Sequence, residues 1–125
     1  NIEISTAIRM ARNEIYPCVT KYINNISQMI NNVRTALGEE KFIQYDKEHL
    51  VKVIGYKNSL KDTITKLNEG TKTAFSISDY KKAVYYDTEL IPVLNEMRTI
   101  VDELELLIEK SVWPIPTYFD LLFNL

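Results

Sequence analysis

His49 is the residue of this sequence with the most specific chemistry, because the chain contains no second histidine. Asp46 lies three residues before it, so the two side chains share one face of a helix. A two-metal carboxylate site in a helical bundle needs two Glu-x-x-His motifs and two further inward-facing acids. One histidine cannot supply this set. The sequence therefore excludes such a site and predicts that His49 is a partly exposed residue in the first turn of a helix.

Neither nucleophilic catalysis nor nucleotide binding has a local motif here. Cys18, the single cysteine, has no histidine near it in the sequence and stands beside an apolar helical stripe, so we expect it to pack inside the fold. Gly38, Gly55 and Gly70 lie far apart and belong to neither the Gly-x-x-x-x-Gly-Lys nor the Gly-x-Gly-x-x-Gly pattern. No loop is therefore predicted to cradle a phosphate.

Two groups of side chains could bind a ligand, one acidic and one aromatic. The acids are Asp102, Glu103, Glu105 and Glu109, and the tyrosines are Tyr80, Tyr85 and Tyr86. The acids fall opposite the apolar positions of their helix, as is typical of a solvated face, so we expect no cation site. The tyrosines could stack on bases, but the surrounding acids would repel a phosphate backbone. We expect these tyrosines in the core or in an interface.

Composition indicates one domain and disfavours two classes of partner. The chain has 125 residues and a net charge of -2, which gives no general attraction to nucleic acid or to an anionic membrane. No signal peptide and no apolar run of about 18 residues is present, so a cytoplasmic protein is expected. There is no initiator methionine, and the helical pattern already includes residue 2. We therefore expect residues 1–125 to form a single helical domain whose N-terminus is cut from a longer chain.

The first apolar stripe has steps of three and four residues, which predicts one long helix over residues 2–37. Its members are Ile4, Ile8, Ala11, Ile15, Val19, Tyr22, Ile26, Met29 and Val33. Pro17 lies inside the stripe without shifting its phase, so we expect it to bend the helix near residues 13–17 rather than end it. Gly38 can take the left-handed conformation that ends a helix.

A second stripe predicts a helix over residues 47–75, with Asp46 as its N-cap. Its members are Leu50, Val53, Ile54, Leu60, Ile64, Leu67, Thr71, Ala74 and Phe75. Lys57 interrupts the apolar sites, and Gly70 predicts a local irregularity because glycine weakens a helix. Residues 39–45 are expected to hold a short helical turn.

A third stripe predicts a helix over residues 78–111, bent at Pro92. Its members are Ala83, Tyr86, Leu90, Leu94, Met97, Val101, Leu104 and Ile108. The spacing of Ser76 and Asp79 suits an N-terminal capping box. Residues 47–75 carry six lysines against three acids, whereas residues 78–110 carry eight acids against four bases, so these two helices should be neighbours. The fold class predicted is all-α, an elongated antiparallel three-helix bundle with a C-terminal tail folded back over one end.

The tail holds the candidate interface residues. Ten of the thirteen residues from 113 to 125 are apolar or proline, although chain ends normally face water. Either the tail clasps its own domain or it docks on another domain or subunit. Thr117 and Asp120 are spaced to begin a last helical turn. The docking residues predicted are Trp113, Pro114, Pro116, Tyr118, Leu121, Leu122 and Phe123.

The same residues carry a resemblance to a known family. The run Trp-Pro-Ile-Pro-Thr-Tyr-Phe-Asp-Leu-Leu-Phe at residues 113–123 resembles the Trp-Pro-x-Pro-Thr-Tyr-x-Asp-Leu-Leu-Phe ending of type III glutamine synthetases. Residues 90–113 are similar to that family's acidic last helix, and residues 38–80 match it in helical character. The matches near the N-terminus resemble the first long helix of the family's C-terminal domain; they are Ile2, Glu3, Thr6, Met10, Ala11, Ile15, Pro17, Lys21 and Tyr22.

This resemblance implies a parent enzyme that joins ammonia to glutamate with ATP and magnesium or manganese, and that assembles into homo-oligomers of stacked hexameric rings. No position of the chain matches the family's nucleotide, metal or glutamate ligands. The resemblance therefore implies no catalytic, cofactor-binding or metal residue in this segment. The segment should be inactive alone, and it should pack on the upstream catalytic domain or serve subunit assembly. Two other classes stay open: a free-standing helical adaptor that binds a protein through its apolar tail, and a protein of lipid surfaces, which the mixed charge disfavours.

Overall fold

A computed structural model of the chain describes residues 2–108 and Trp113, and every regular element in these residues is helical. The helices are α1 (Ile2–Met10), α2 (Tyr16–Leu37), α3 (Gln44–Ala74), α4 (Asp79–Tyr85) and α5 (Ile91–Leu107). Short π-helical segments join α1 to α2 and α4 to α5, so the chain forms three long helical stretches. The all-α class predicted from the three stripes is confirmed.

Both internal prolines lie just after a π-helical segment. Ala11–Ile15 precedes Pro17, and Tyr86–Leu90 precedes Pro92. Proline has no amide hydrogen, and its ring clashes with the carbonyl four residues earlier. A wider turn before the proline relieves both problems, and the helical stretch continues beyond it. The prediction that neither proline ends its helical stretch is confirmed, although the π-helical form was not predicted.

The ends of the second stretch differ in part from their prediction. The helix begins at Gln44, after the short 3-10 turn Glu40–Phe42 that the sequence predicted. Asp46 therefore lies inside the first turn, and the assignment of Asp46 as N-cap was wrong. Gly38 has a φ of 68° and ends α2, as predicted.

The third stretch begins and ends differently from its prediction. Ser78 rather than Ser76 is the N-cap, and its hydroxyl accepts a hydrogen bond from the Lys81 amide at 3.5 Å. The Ser76 hydroxyl instead donates to the Thr73 carbonyl, so the capping box at Ser76 was wrong. The helix ends at Leu107, four residues short of the predicted end, because Ile108 has an extended backbone.

Side chains of the three stretches share one apolar core. Its largest fully buried members are Ile4, Ile15, Leu60, Leu67, Met97 and Leu104. The contact between α3 and α5 is the most extensive in the described residues, so the prediction that the basic and acidic helices are neighbours is confirmed. Three stripe positions were wrong. Ile54 is 37% exposed, Phe75 is 82% exposed because it lies just beyond the last residue of α3, and Ala83 is exposed on α4.

Gly70 shows why α3 and the third stretch approach so closely. The helix is regular through this residue, so the predicted irregularity was wrong. A Cβ built on Gly70 would collide with the Leu90 Cδ2 methyl, and Leu90 is itself buried. The absence of a side chain at position 70 therefore allows the π-helical segment to pack against α3.

Alanine substitution at two glycines of α3 should have opposite effects. Gly55→Ala should raise the free energy of unfolding by about 0.5–1 kcal/mol, because alanine favours the helix and nothing lies within 4 Å of the new Cβ. Gly70→Ala brings the same gain but forces Leu90 to move, so we expect a net loss of about 1–2 kcal/mol. Urea unfolding followed by circular dichroism measures both. Equal stabilisation by the two substitutions would contradict the close packing at Gly70.

Candidate functional site

Tyr22 of α2 and His49 of α3 form a hydrogen-bonded pair, and this pair is the candidate site of the described residues. The Tyr22 hydroxyl lies 2.7 Å from His49 Nε2 and 3.5 Å from the Leu107 carbonyl at the end of α5. The two rings meet edge to face, with centroids 5.9 Å apart. Tyr22 is buried and His49 is half-buried. This junction brings together side chains or backbone from all three helical stretches.

The prediction for His49 was right in exposure and wrong in position. Since α3 begins at Gln44, His49 lies in its second turn rather than its first. Sequence reasoning also missed the partner, because Tyr22 was counted as one more apolar member of its stripe. A signal was available: Tyr22 is the only residue of that stripe with a hydroxyl, and a buried tyrosine hydroxyl usually has a hydrogen-bond partner.

Loss of the Tyr22 hydroxyl should destabilise the fold modestly. Tyr22→Phe keeps the ring and removes the hydrogen bond to His49, so we expect the free energy of unfolding to fall by about 0.5–1.5 kcal/mol. Tyr80→Phe, at an exposed tyrosine, is the matched control and should change stability by less than about 0.5 kcal/mol. Thermal unfolding of both variants under identical conditions makes the comparison. Equal midpoints would show that the Tyr22–His49 contact adds nothing to stability.

Cys18 occupies an environment that disfavours the thiolate. The side chain is half-buried in α2, and this burial raises the pKa of the Cys18 thiol, while the charge of Lys21 partly opposes the rise. A thiol with a raised pKa is a weak nucleophile at neutral pH. In residues 2–108, moreover, no three side chains of the metal-binding types gather closely enough to hold an ion.

Charged side chains fix the turn between α2 and α3. Glu40 accepts hydrogen bonds from Arg34 Nε at 2.7 Å and Lys47 Nζ at 3.1 Å. These donors hold the pKa of Glu40 below its usual range, and the pKa of Arg34 is raised by the same contact. The stabilisation by Glu40 is therefore complete above the unfolded-state pKa and disappears as the pH falls through the lower, folded-state pKa. All three groups are exposed, so this cluster orients the turn and forms no enclosed site.

Lysines of α3 lie over an aromatic ring of α2. Lys57 Nζ is 5.2 Å and Lys61 Nζ is 5.7 Å from the centroid of the Tyr16 ring. A cation over a tyrosine face is attracted by the ring's quadrupole. Lys57, which interrupts the second apolar stripe, therefore contacts α2.

The tyrosines were expected in the core or in an interface, and the acids on a solvated face; the structure bears this out for some members of each group. Tyr85 and Tyr86 are half-buried against the core, whereas Tyr80 is exposed. Asp102 is exposed, and Glu103 and Glu105 are half-buried. Glu109 lies outside the described residues. On α3, an open groove of about 260 Å³ is lined by Val51, Lys52, Gly55, Tyr56 and Ser59.

Among the predicted docking residues, Trp113 is within the described part of the chain. Its side chain is only 5% exposed and belongs to the same buried cluster as Tyr22 and Ile108. Its indole Nε1 is buried and has no hydrogen-bond partner among the described residues. The others lie outside the described residues, so the docking of the tail stays a prediction; they are Pro114, Pro116, Tyr118, Leu121, Leu122 and Phe123.

Comparison with known proteins gives a consistent similarity. No family model matches the chain, and no solved structure is similar to it. A glutamine synthetase of Bacteroides fragilis is 29% identical over 119 residues, which cover 92% of this chain and 16% of that protein. A type-3 glutamine synthetase of Dictyostelium discoideum is 27% identical over 126 residues, or 98% of this chain and 17% of that protein.

The chain thus spans about a sixth of the length of these curated relatives. Within residues 2–108, no helix combines the length and the apolar character needed to cross a membrane. The resemblance first noted at residues 113–123 is confirmed: nearly the whole chain is similar to the C-terminal region of type III glutamine synthetases.

Proposed function

We propose that this chain is a non-catalytic C-terminal helical domain of a glutamine synthetase, and that it packs on the catalytic domain or takes part in subunit assembly. The observation that carries the proposal is the asymmetry of the matches, which cover almost all of this chain but only 16–17% of each relative. ATP, magnesium or manganese, glutamate and ammonia would bind to the rest of such an enzyme, a cytoplasmic homo-oligomer.

The described contacts support an up-down-up antiparallel bundle as the form of this domain. Tyr22 contacts His49, and the earlier residue Tyr16 contacts the later residues Lys57 and Lys61. Such a pairing is expected when two connected helices run in opposite directions. Gly70, near the end of α3, faces Leu90, near the start of the third stretch. This pairing of a late residue with an early one supports an antiparallel arrangement of these two stretches as well.

One end of this bundle is suited to contact the catalytic domain. Extending the pairing of Tyr16 and Lys61 by nearly four turns, towards residue 2 on one side and residue 74 on the other, places the start of α1 beside the end of α3. Phe75 just after α3 and Tyr80 in the first turn of α4 are both 82% exposed, and Val84 is exposed further along α4. A catalytic domain that precedes residue 1 would therefore join the bundle at the end that carries these apolar side chains. Exposed aromatic residues are frequent anchors of protein interfaces.

An activity assay tests the non-catalytic role. The purified chain, incubated with ATP, magnesium, glutamate and ammonia, should release no phosphate and form no glutamine above background. Turnover would overturn the proposal. The gene provides an independent test, because several hundred codons for a synthetase should precede Asn1. An open reading frame that starts near Asn1 would contradict a C-terminal domain.

The proposed contact is tested in the full-length enzyme. Phe75→Asp together with Tyr80→Asp should weaken the assembly, seen as smaller species in size-exclusion chromatography or as lower thermal stability. Tyr45→Asp changes an equally exposed tyrosine at the other end of α3 and should leave assembly unchanged. Wild-type behaviour of the Phe75 and Tyr80 variant would show that this surface is not the contact.

A further inference from the structure

The three helical stretches do not end at the same height in the bundle. The described end of α5 is Leu107, whose carbonyl lies beside the Tyr22 hydroxyl, and Tyr22 in turn contacts His49. Beyond this level α2 continues through residues 23–37, about 22 Å of helix. On the α3 side, residues 44–48 and the turn Glu40–Phe42 also lie beyond it. The hairpin of α2 and α3 thus extends past α5.

The apolar stripe of α2 does not stop where α5 stops. Ile26, Met29 and Val33 continue it at helical spacing and are half-buried, and Leu37, four residues further, is 55% exposed. We call these four residues the end seam. Before Tyr22, the same stripe is covered by the other helices, since Ile4, Ile15 and Val19 are all fully buried. The end seam therefore has the pattern of a core-facing stripe without the matching length of α5 to cover it.

The chain that follows Trp113 is suited to cover the end seam in both position and composition. Trp113 is buried in the shared core and follows Ile108 by five residues, so residue 114 starts within about 20 Å of the described end of the third stretch. Residues 114–125 contain seven apolar residues, two prolines and one charged residue, Asp120. Twelve residues span about 18 Å as a helix and up to about 40 Å when extended, enough to follow the seam.

We propose that residues 114–125 pack along the end seam and take the place that a longer α5 would occupy. Tyr118, Leu121, Leu122 and Phe123 supply the apolar surface, and the two prolines after Trp113 separate this segment from α5. The proposal concerns contacts within one chain. It does not depend on the parent enzyme and can be tested on the 125-residue protein.

Photo-crosslinking tests where the tail lies. Benzoylphenylalanine at position 118 retains an aromatic ring and should crosslink to peptides from residues 23–37 of the same chain, as mapped by mass spectrometry. The same group at position 80, an exposed tyrosine at the far end, is the control and should not reach that region. Crosslinks from position 118 to residues 71–90, or crosslinks only between two chains, would overturn the proposal; the second result would identify another copy as the occupant.

Amide hydrogen exchange provides a second test. Leu122→Asp should accelerate exchange of the amides in residues 26–36 by about tenfold or more, because that end of α2 loses buried apolar contact. Exchange in residues 60–67, within the shared core, should change far less. Leu106→Asp, at an exposed leucine of α5, is the matched control and should leave residues 26–36 unchanged. Unaltered exchange in residues 26–36 of Leu122→Asp would overturn the proposal.

Discussion

Leu104→Ala is expected to lower the free energy of unfolding by about 2–5 kcal/mol, a large part of the total stability of a domain of this size. Leu104 is fully buried in α5 and belongs to the cluster that all three helical stretches share. Its truncation removes apolar contacts and leaves a cavity that the surrounding helices can fill only in part. The melting temperature should fall by about 3–6 °C for each kcal/mol lost, as expected for a domain of this size.

The same helix contains the control for this prediction. Leu106 lies two residues further along α5 and is 80% exposed. Leu106→Ala has the same effect on helix propensity as Leu104→Ala, but it removes little buried surface, so its effect should stay within about 0.5 kcal/mol. Urea unfolding can be followed by the fluorescence of Trp113, the single tryptophan, in both variants. Similar destabilisation by the two substitutions would contradict the orientation of α5.

The sequence predicted the buried face of each helix better than it predicted the helix ends. Steps of three and four residues depend only on the helical repeat, so Ile15, Leu60 and Leu104 could be assigned to a core without knowledge of their neighbours. Termini depend on weaker local energies that compete within a few residues. Ser76 and Ser78 could both cap a helix, and the structure uses Ser78.

Contacts between helices were the least predictable part of the candidate site. The pairing of Tyr22 with His49 joins residues that are far apart in sequence and depends on the relative position of α2 and α3. Gly70 illustrates the same point. Sequence reasoning treats glycine as a weakness of a helix, whereas here it provides space for Leu90 of another stretch. The pattern of apolar residues in a sequence shows the helical periodicity, but it does not show the register in which two helices pack.

Trp113→Ala is expected to cost about 3–5 kcal/mol, the usual range for removing a large buried aromatic side chain. Trp113 is almost completely buried in the shared core, six residues after Leu107, the last residue of α5. The indole would therefore hold the end of the chain against the bundle. Loss of this contact should lower the melting temperature and should also accelerate exchange of amides near the end of α5. Circular dichroism at 222 nm replaces fluorescence as the probe, because the variant has no tryptophan.

Trp113→Phe separates the contribution of burial from that of the indole nitrogen. Nε1 has no partner among the described residues, and a buried donor without a partner costs about 1–3 kcal/mol. Phenylalanine removes this donor and keeps most of the apolar contact, so the two changes partly cancel and the net loss should be about 1 kcal/mol or less. A loss for Trp113→Phe as large as that for Trp113→Ala would mean that the nitrogen makes a stabilising hydrogen bond. Trp113 would then stabilise the fold through a polar contact as well as through burial.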